Sequence, residues 1–163
     1  MPTPAGSPAT TEDLLELRSL VAAMRESTAV VEFGLDGTLL TANEQFTEVM
    51  GWSLDEVRGK HHRVFCDPAH AASEEYAALW ARLAGGETVT RVVVRRLAKG
   101  GREVWLRSSY IPVPDASGRP VKVVVLAIDI TEGKVAALER QSQAVALDRS
   151  QACLLYTSDA ADE

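Results

Sequence analysis

The spacing of apolar residues changes along this chain, and each change marks an element. Leu14, Leu17, Val21 and Met24 recur at intervals of three and four, which predicts an amphipathic helix over 11–28. Thr11 is placed to cap it, Glu12 and Asp13 suit its positive end, and Leu15 and Leu20 widen its stripe. Such a stripe must dock on the domain's own sheet or on a second copy of itself. Residues 29–34 have strand composition, Leu35–Asp36–Gly37–Thr38 carries an Asp-Gly hairpin signal, and residues 38–42 read as the return strand.

Asn43 then predicts the N-cap of a short helix bearing Phe46, Val49 and Met50 and closed by Gly51. Ser53 with Glu56 forms a capping box for another short helix ending at Gly59. A longer helix is predicted over 73–83, with Tyr76, Leu79, Trp80 and Leu83 on one face. Three strands follow, over 88–97, 103–113 and 121–130, joined by turns short enough for an antiparallel meander. The order of elements is that of an α+β domain with an antiparallel sheet.

Composition narrows the classes. The 163 residues suffice for one core, and 46% hydrophobic with 25% charged residues fits a folded chain. A formal charge of −6 argues against a nucleic-acid partner. The cluster Arg91, Arg95, Arg96, Lys99 and Arg102 is expected to be a solvated sheet edge guarded by charge. The longest apolar run, 123–128, falls far short of the roughly 20 residues that span a bilayer, so no membrane contact is expected from this stretch. Cys66 and Cys153 offer neither a disulfide framework nor metal-ligand spacing, so the expected setting is reducing and cytoplasmic, with a membrane-anchored parent left open.

Four segments carry a resemblance: EFGLDGTLLTANEQFTEVMGWSLDEVRGK at 32–60, EEYAALWARLAGGE at 74–87, KGGREVWLRSSYIPV at 99–113 and DIT at 129–131. In this order and spacing they resemble a PAS domain. GKHHRVFCDP at 59–68 is similar to the PAS units of bacterial methyl-accepting chemotaxis proteins and tandem-PAS sensors. The resemblance implies a five-stranded antiparallel sheet in the order 2-1-5-4-3, with short helices over one face and flanking helices at both ends. It also implies a sensing and dimerisation module that is not an enzyme. Expected partners are a second copy, through the flanking helices, and a downstream signalling domain in the parent chain.

The domain organisation that follows is a disordered lead-in at 1–10, a helix at 11–28, the PAS domain at 29–131 and an output helix at 132–152. That helix runs into ALDRSQA at 146–152, which resembles AMRESTA at 23–29 and reads as the opening of a truncated second unit. Residues 153–163, CLLYTSDAADE, resemble a translated sequencing adapter. Without them 17 basic residues face 20 acidic ones, a formal charge of −3.

Candidate pocket residues are Phe46, Met50, His62, Phe65 and Trp80, drawn from a set of large side chains that also includes Trp52, Tyr76, Trp105 and Tyr110. Haem held by His61 or His62 is an alternative, since imidazole is a frequent axial ligand, although adjacent histidines cannot both enter one pocket. Flavin photoadduct chemistry is argued against, because His62 stands where the light-sensing branch of the family places its reactive cysteine, and Cys66 lies four residues further on. A protein-interaction module without a ligand is the remaining alternative. Asp129, Ile130 and Thr131 close the last strand and cap the outgoing helix, and the resemblance assigns this junction to signal transmission.

Overall fold

A computed structural model of the chain describes residues 10–144. Helix α1 (Thr11–Ser27) is capped one residue earlier than predicted. Thr10 is the N-cap: its hydroxyl accepts from the Asp13 amide, and the Asp13 carboxylate accepts from the Thr10 amide at 2.8 Å. A capping box needs an acid three residues after the cap, and Thr10 with Asp13 satisfies this where Thr11 with Leu14 does not.

The sheet has strands β1 (Ala29–Phe33), β2 (Leu39–Ala42), β3 (Val89–Leu97), β4 (Glu103–Pro114) and β5 (Pro120–Asp129). All neighbours are antiparallel and the spatial order is β2-β1-β5-β4-β3, as expected from the resemblance. Helices α2 (Glu44–Met50), α3 (Leu54–Val57), α4 (Pro68–Ala71) and α5 (Glu74–Ala84), with a 3₁₀ turn at His62–Phe65, lie between β2 and β3 in sequence and supply the other half of the core. Helix α4 was not foreseen in the sequence; Asp67 caps it and Pro68 opens it. The chain divides after Asp129, and in the second unit residues 131–144 are helical. The output helix expected at 132–152 is thus described to residue 144; its remainder, the start of the second unit, the tail at 153–163 and most of the lead-in lie outside the described residues.

Alternation along the strands sorts the two faces. Val31, Phe33, Val104, Leu106, Ser108, Tyr110, Val123, Val125 and Ala127 point inward and are buried against Phe46, Met50, Val57, Phe65, Tyr76, Trp80 and Leu83. Phe33, absent from the aromatic set picked out in the sequence, is only 1% exposed. Trp52 and Trp105 are half-buried instead, and Trp52 lies beneath the ammonium groups of Lys60 and Lys99.

Asn43 does more than cap α2. Its Oδ1 accepts from the Val30 and Phe46 amides at 2.8 and 3.1 Å, and its Nδ2 donates to the Arg25 and Thr28 carbonyls, both at 2.8 Å. One amide therefore fastens the end of α1, the start of β1 and the start of α2 together.

Candidate functional site

The inner face encloses a small cavity of about 20 Å³, room for little more than one water molecule. Of the five candidate pocket residues, Phe46, Met50, His62 and Phe65 line it. Trp80 stands behind His62, edge-on to its ring at 5.5 Å, and is not part of the lining; among the described residues its buried indole nitrogen has no hydrogen-bond partner.

His62 reaches the cavity because the β1–β2 hairpin holds its backbone. Its amide donates to the Gly37 carbonyl at 2.8 Å, and the hairpin closes tightly enough that a side chain on Gly37 would meet the His61 ring at 2.7 Å. Gly37 has φ +84, so both conformation and space require glycine there. The His62 ring sits in an aromatic cage, with Phe33 edge-on at 5.2 Å and Tyr76 nearly parallel at 5.8 Å. Nδ1 is hydrogen-bonded to the Tyr76 hydroxyl at 3.0 Å, and the Cys66 sulfur lies 3.7 Å from the same nitrogen. The neighbouring His61 is half-buried and accepts from the Arg63 amide on its own Nδ1.

These surroundings suppress ionisation. Burial, reinforced by the Arg96 charge and the other two histidines, holds His62 well below the ordinary imidazole range, so it is neutral. Burial also pushes the Tyr76 hydroxyl up to about 12 and raises the Cys66 thiol, leaving both protonated near neutrality. A thiol kept from ionising is a poor nucleophile, and the arrangement does not resemble an activated Cys/His pair.

Arg96 is the residue that sequence reasoning misplaced. Expected on a solvated edge, it is 4% exposed and lines the cavity beside His62. Its guanidinium donates to the Tyr110 hydroxyl at 2.9 Å and to the Arg95 carbonyl at 3.0 Å. The reason is strand alternation: Arg96 pairs with Val104 and shares its inward face, whereas Arg95 pairs with Trp105 and points outward, where it meets Glu103 and Asp67. Reading Arg95 and Arg96 together as one charged patch ignores that period, which places them on opposite faces of β3.

The haem alternative is tested by space. A cavity of about 20 Å³ does not admit a porphyrin, and His61 does not line the cavity. An isoalloxazine ring meets the same obstacle. In this packing the residues present do not fit either group. Among the described residues no cluster of His, Cys, Asp or Glu suits a metal ion.

Asp129 and Thr131 occupy the end of β5 and the start of the helix at 131–144. Asp129 pairs in register with Leu106 of β4, and Leu106 lines the cavity. No described helix is long and apolar enough to cross a membrane.

The family model described as the PAS fold matches residues 22–135. The chain is 42% identical over 139 residues to the biofilm dispersion protein BdlA of Pseudomonas aeruginosa, covering 85% of this chain and 33% of that protein. It is 25% identical over 114 residues to the aerotaxis receptor of Escherichia coli, covering 70% of this chain and 22% of the receptor. A solved RNA-binding light-oxygen-voltage receptor superposes with a TM-score of 0.64 at 25% identity, over 93% of this chain and 42% of that one. The chain thus spans a third or less of the length of these two curated relatives.

Proposed function

Since the chain belongs to the PAS family, we propose that it is the sensory and dimerisation module of a longer bacterial signal-transduction protein of chemotaxis-receptor type. It performs no catalysis of its own. The observation that carries the reading is the register of β5. This strand runs through the centre of the sheet, contributes Val125 and Ala127 to the cavity wall, and ends at Asp129 opposite Leu106.

A shift in the packing of α2 and the 3₁₀ turn against the sheet changes the wall formed by Leu106, Val125 and Ala127. The strain passes along β5 to Asp129, Ile130 and Thr131 and into the helix that begins there. Flanking helices supply the dimer: α1 buries none of its residues, and Leu14, Leu17, Leu20, Val21 and Met24 are each about half exposed. The parent chain supplies the output domain, and the setting is cytoplasmic. Neither haem nor a flavin photoadduct is part of this reading, given the size of the cavity and His62 in place of the adduct-forming cysteine.

The test is substitution at the junction. Asp129→Ala and Thr131→Ala are expected to leave the far-ultraviolet circular dichroism and melting midpoint near wild type while abolishing output when the domain is placed in a chemotaxis-type receptor. Loss of the folded spectrum in both variants would show that the junction is structural and overturn this assignment.

A further inference from the structure

Two surfaces of this chain are left uncovered, and their charges are opposite. The first is the outer face of the sheet over β3, β4 and β5. An open groove of about 500 Å³ there takes its apolar lining from Leu126 and Ile128 and its polar lining from Arg91, Arg107, Ser109 and Thr28. Val93, about half exposed, pairs with Arg107 and shares its face. Arg91 reaches the groove through a break in the ladder: the register of β3 on β4 shifts between Val89 and Val92, and Arg91 has φ +57, a left-handed conformation unfavourable for arginine. Its amide donates to the Ser109 hydroxyl at 3.2 Å. Among the described residues no carboxylate forms an ion pair with Arg91 or Arg107, whereas Arg25, Arg82, Arg95 and Arg119 each have at least one.

The second surface is the first half of α1, where Leu14, Leu17 and Leu20 are about half exposed. At 3.6 residues per turn, Glu12 and Glu16 run along the edge of this stripe on the Leu20 side. Neither acid forms an ion pair among the described residues. Where the second half of α1 meets its own sheet, helix and sheet already match in this way: Val21 and Met24 border a groove with Val124 and Leu126, and Arg25 pairs with Glu32 of β1 at 4.0 Å. Thr28 and Leu126 belong to both grooves, so the outer face is continuous from the chain's own α1 to Arg91 and Arg107.

We propose that the groove over β3 to β5 seats the first half of α1 from a second copy of this chain, with Glu12 and Glu16 of the helix against Arg91 and Arg107. Leu17 and Leu20 then cover Leu126, Ile128 and Val93. A second copy is the occupant that fits because one sequence carries both halves of the match. In a two-fold dimer the acidic, apolar helix of each copy meets the basic, apolar groove of the other, so every pairing occurs twice. The chain's own α1 leaves the site open, since no residue of its first half lines either groove. The inference rests on the dimerisation part of the sensory reading, and adds where the helix docks and which charges select it.

The experiment is sedimentation equilibrium of the 163-residue chain at low ionic strength, with circular dichroism to check the fold of each variant. Arg91→Glu with Arg107→Glu is expected to weaken the dimer about tenfold or more, and Glu12→Lys with Glu16→Lys to do the same, because like charges then face each other. Equal amounts of the two variants, mixed, are expected to dimerise with nearly the wild-type affinity, since acid then meets base at both contacts. Added salt should weaken the wild-type dimer and narrow its difference from the variants. A dimer indifferent to both charge reversals, or a mixture that stays monomeric, overturns the proposal. If Leu17→Ala with Leu20→Ala dissociates the chain while the charge reversals do not, the helix-borne dimer stands and the seat on the sheet falls; a monomeric wild-type chain overturns both.

Discussion

The two faces of the sheet are made from the same strands and do opposite things. On the inner face, Phe33, Tyr110, Met50 and Phe65 close around a cavity of about 20 Å³, and the polar groups there are held by one another. On the outer face, Val93 and Ile128 are about half exposed, and Val124 and Leu126 border an open groove of about 230 Å³ with Val21 and Met24 of α1. Period-two alternation produces both from one sequence. The inner face is tight enough for a small change in occupancy to become strain, and the outer face is open enough to receive a partner.

The largest expected difference between the faces is in stability. Phe33→Ala removes a ring that contacts both His62 and Trp80 and should cost about 3–5 kcal/mol in urea unfolding, enough to threaten the fold. An equal loss from the exposed Leu17→Ala would erase the contrast.

The interior should also govern the response to acid. His62 is neutral in the folded state because its affinity for protons is depressed, while the unfolded chain has an imidazole near 6.5. Below that pH the unfolded state binds the extra proton, so stability falls as pH falls. The slope should approach about 1.4 kcal/mol per pH unit, with His61, shifted in the same direction, adding to it. Unfolding midpoints between pH 7 and pH 5 should flatten in His62→Gln; an unchanged slope would place the titration elsewhere.

The smallest effect on stability belongs to α1, where its effect on assembly should be greatest. Leu17→Ala with Leu20→Ala should move the unfolding free energy by no more than about 0.5 kcal/mol per site, as exposed positions do. The same pair should shift the mass measured by light scattering from dimer towards monomer. An unchanged dimer would locate the interface away from this stripe.

Much of the fold was legible because its signals are local. The Asp-Gly hairpin, the Asn43 and Ser53 caps and the alternation in β3 to β5 each require only a few neighbouring residues, and the strand order came with the family resemblance. The site was legible in its apolar half, where Phe46, Met50, Phe65 and His62 meet. Its charged half was not, because Arg96 is informative only once Val104 and Tyr110 are known to share its face across β4. The role of Asn43 as a four-bond fastener was hidden for the same reason: the carbonyls it donates to, Thr28 just after α1 and Arg25 in its last turn, are 15 and 18 residues away. Phe33 was overlooked because a short strand shows its buried side only after its pairing is known.

The central claim is that packing inside the cavity is read by the helix after β5. Hydrogen exchange of amides 131–144, compared between the wild-type chain and Phe46→Leu, tests it most directly, because Phe46 lines the cavity and belongs to neither β5 nor that helix. The account expects protection in 131–144 to change with Phe46→Leu, and this response to vanish when Asp129→Ala is added. Exchange that changes around the cavity while 131–144 stays at its wild-type rates would contradict it.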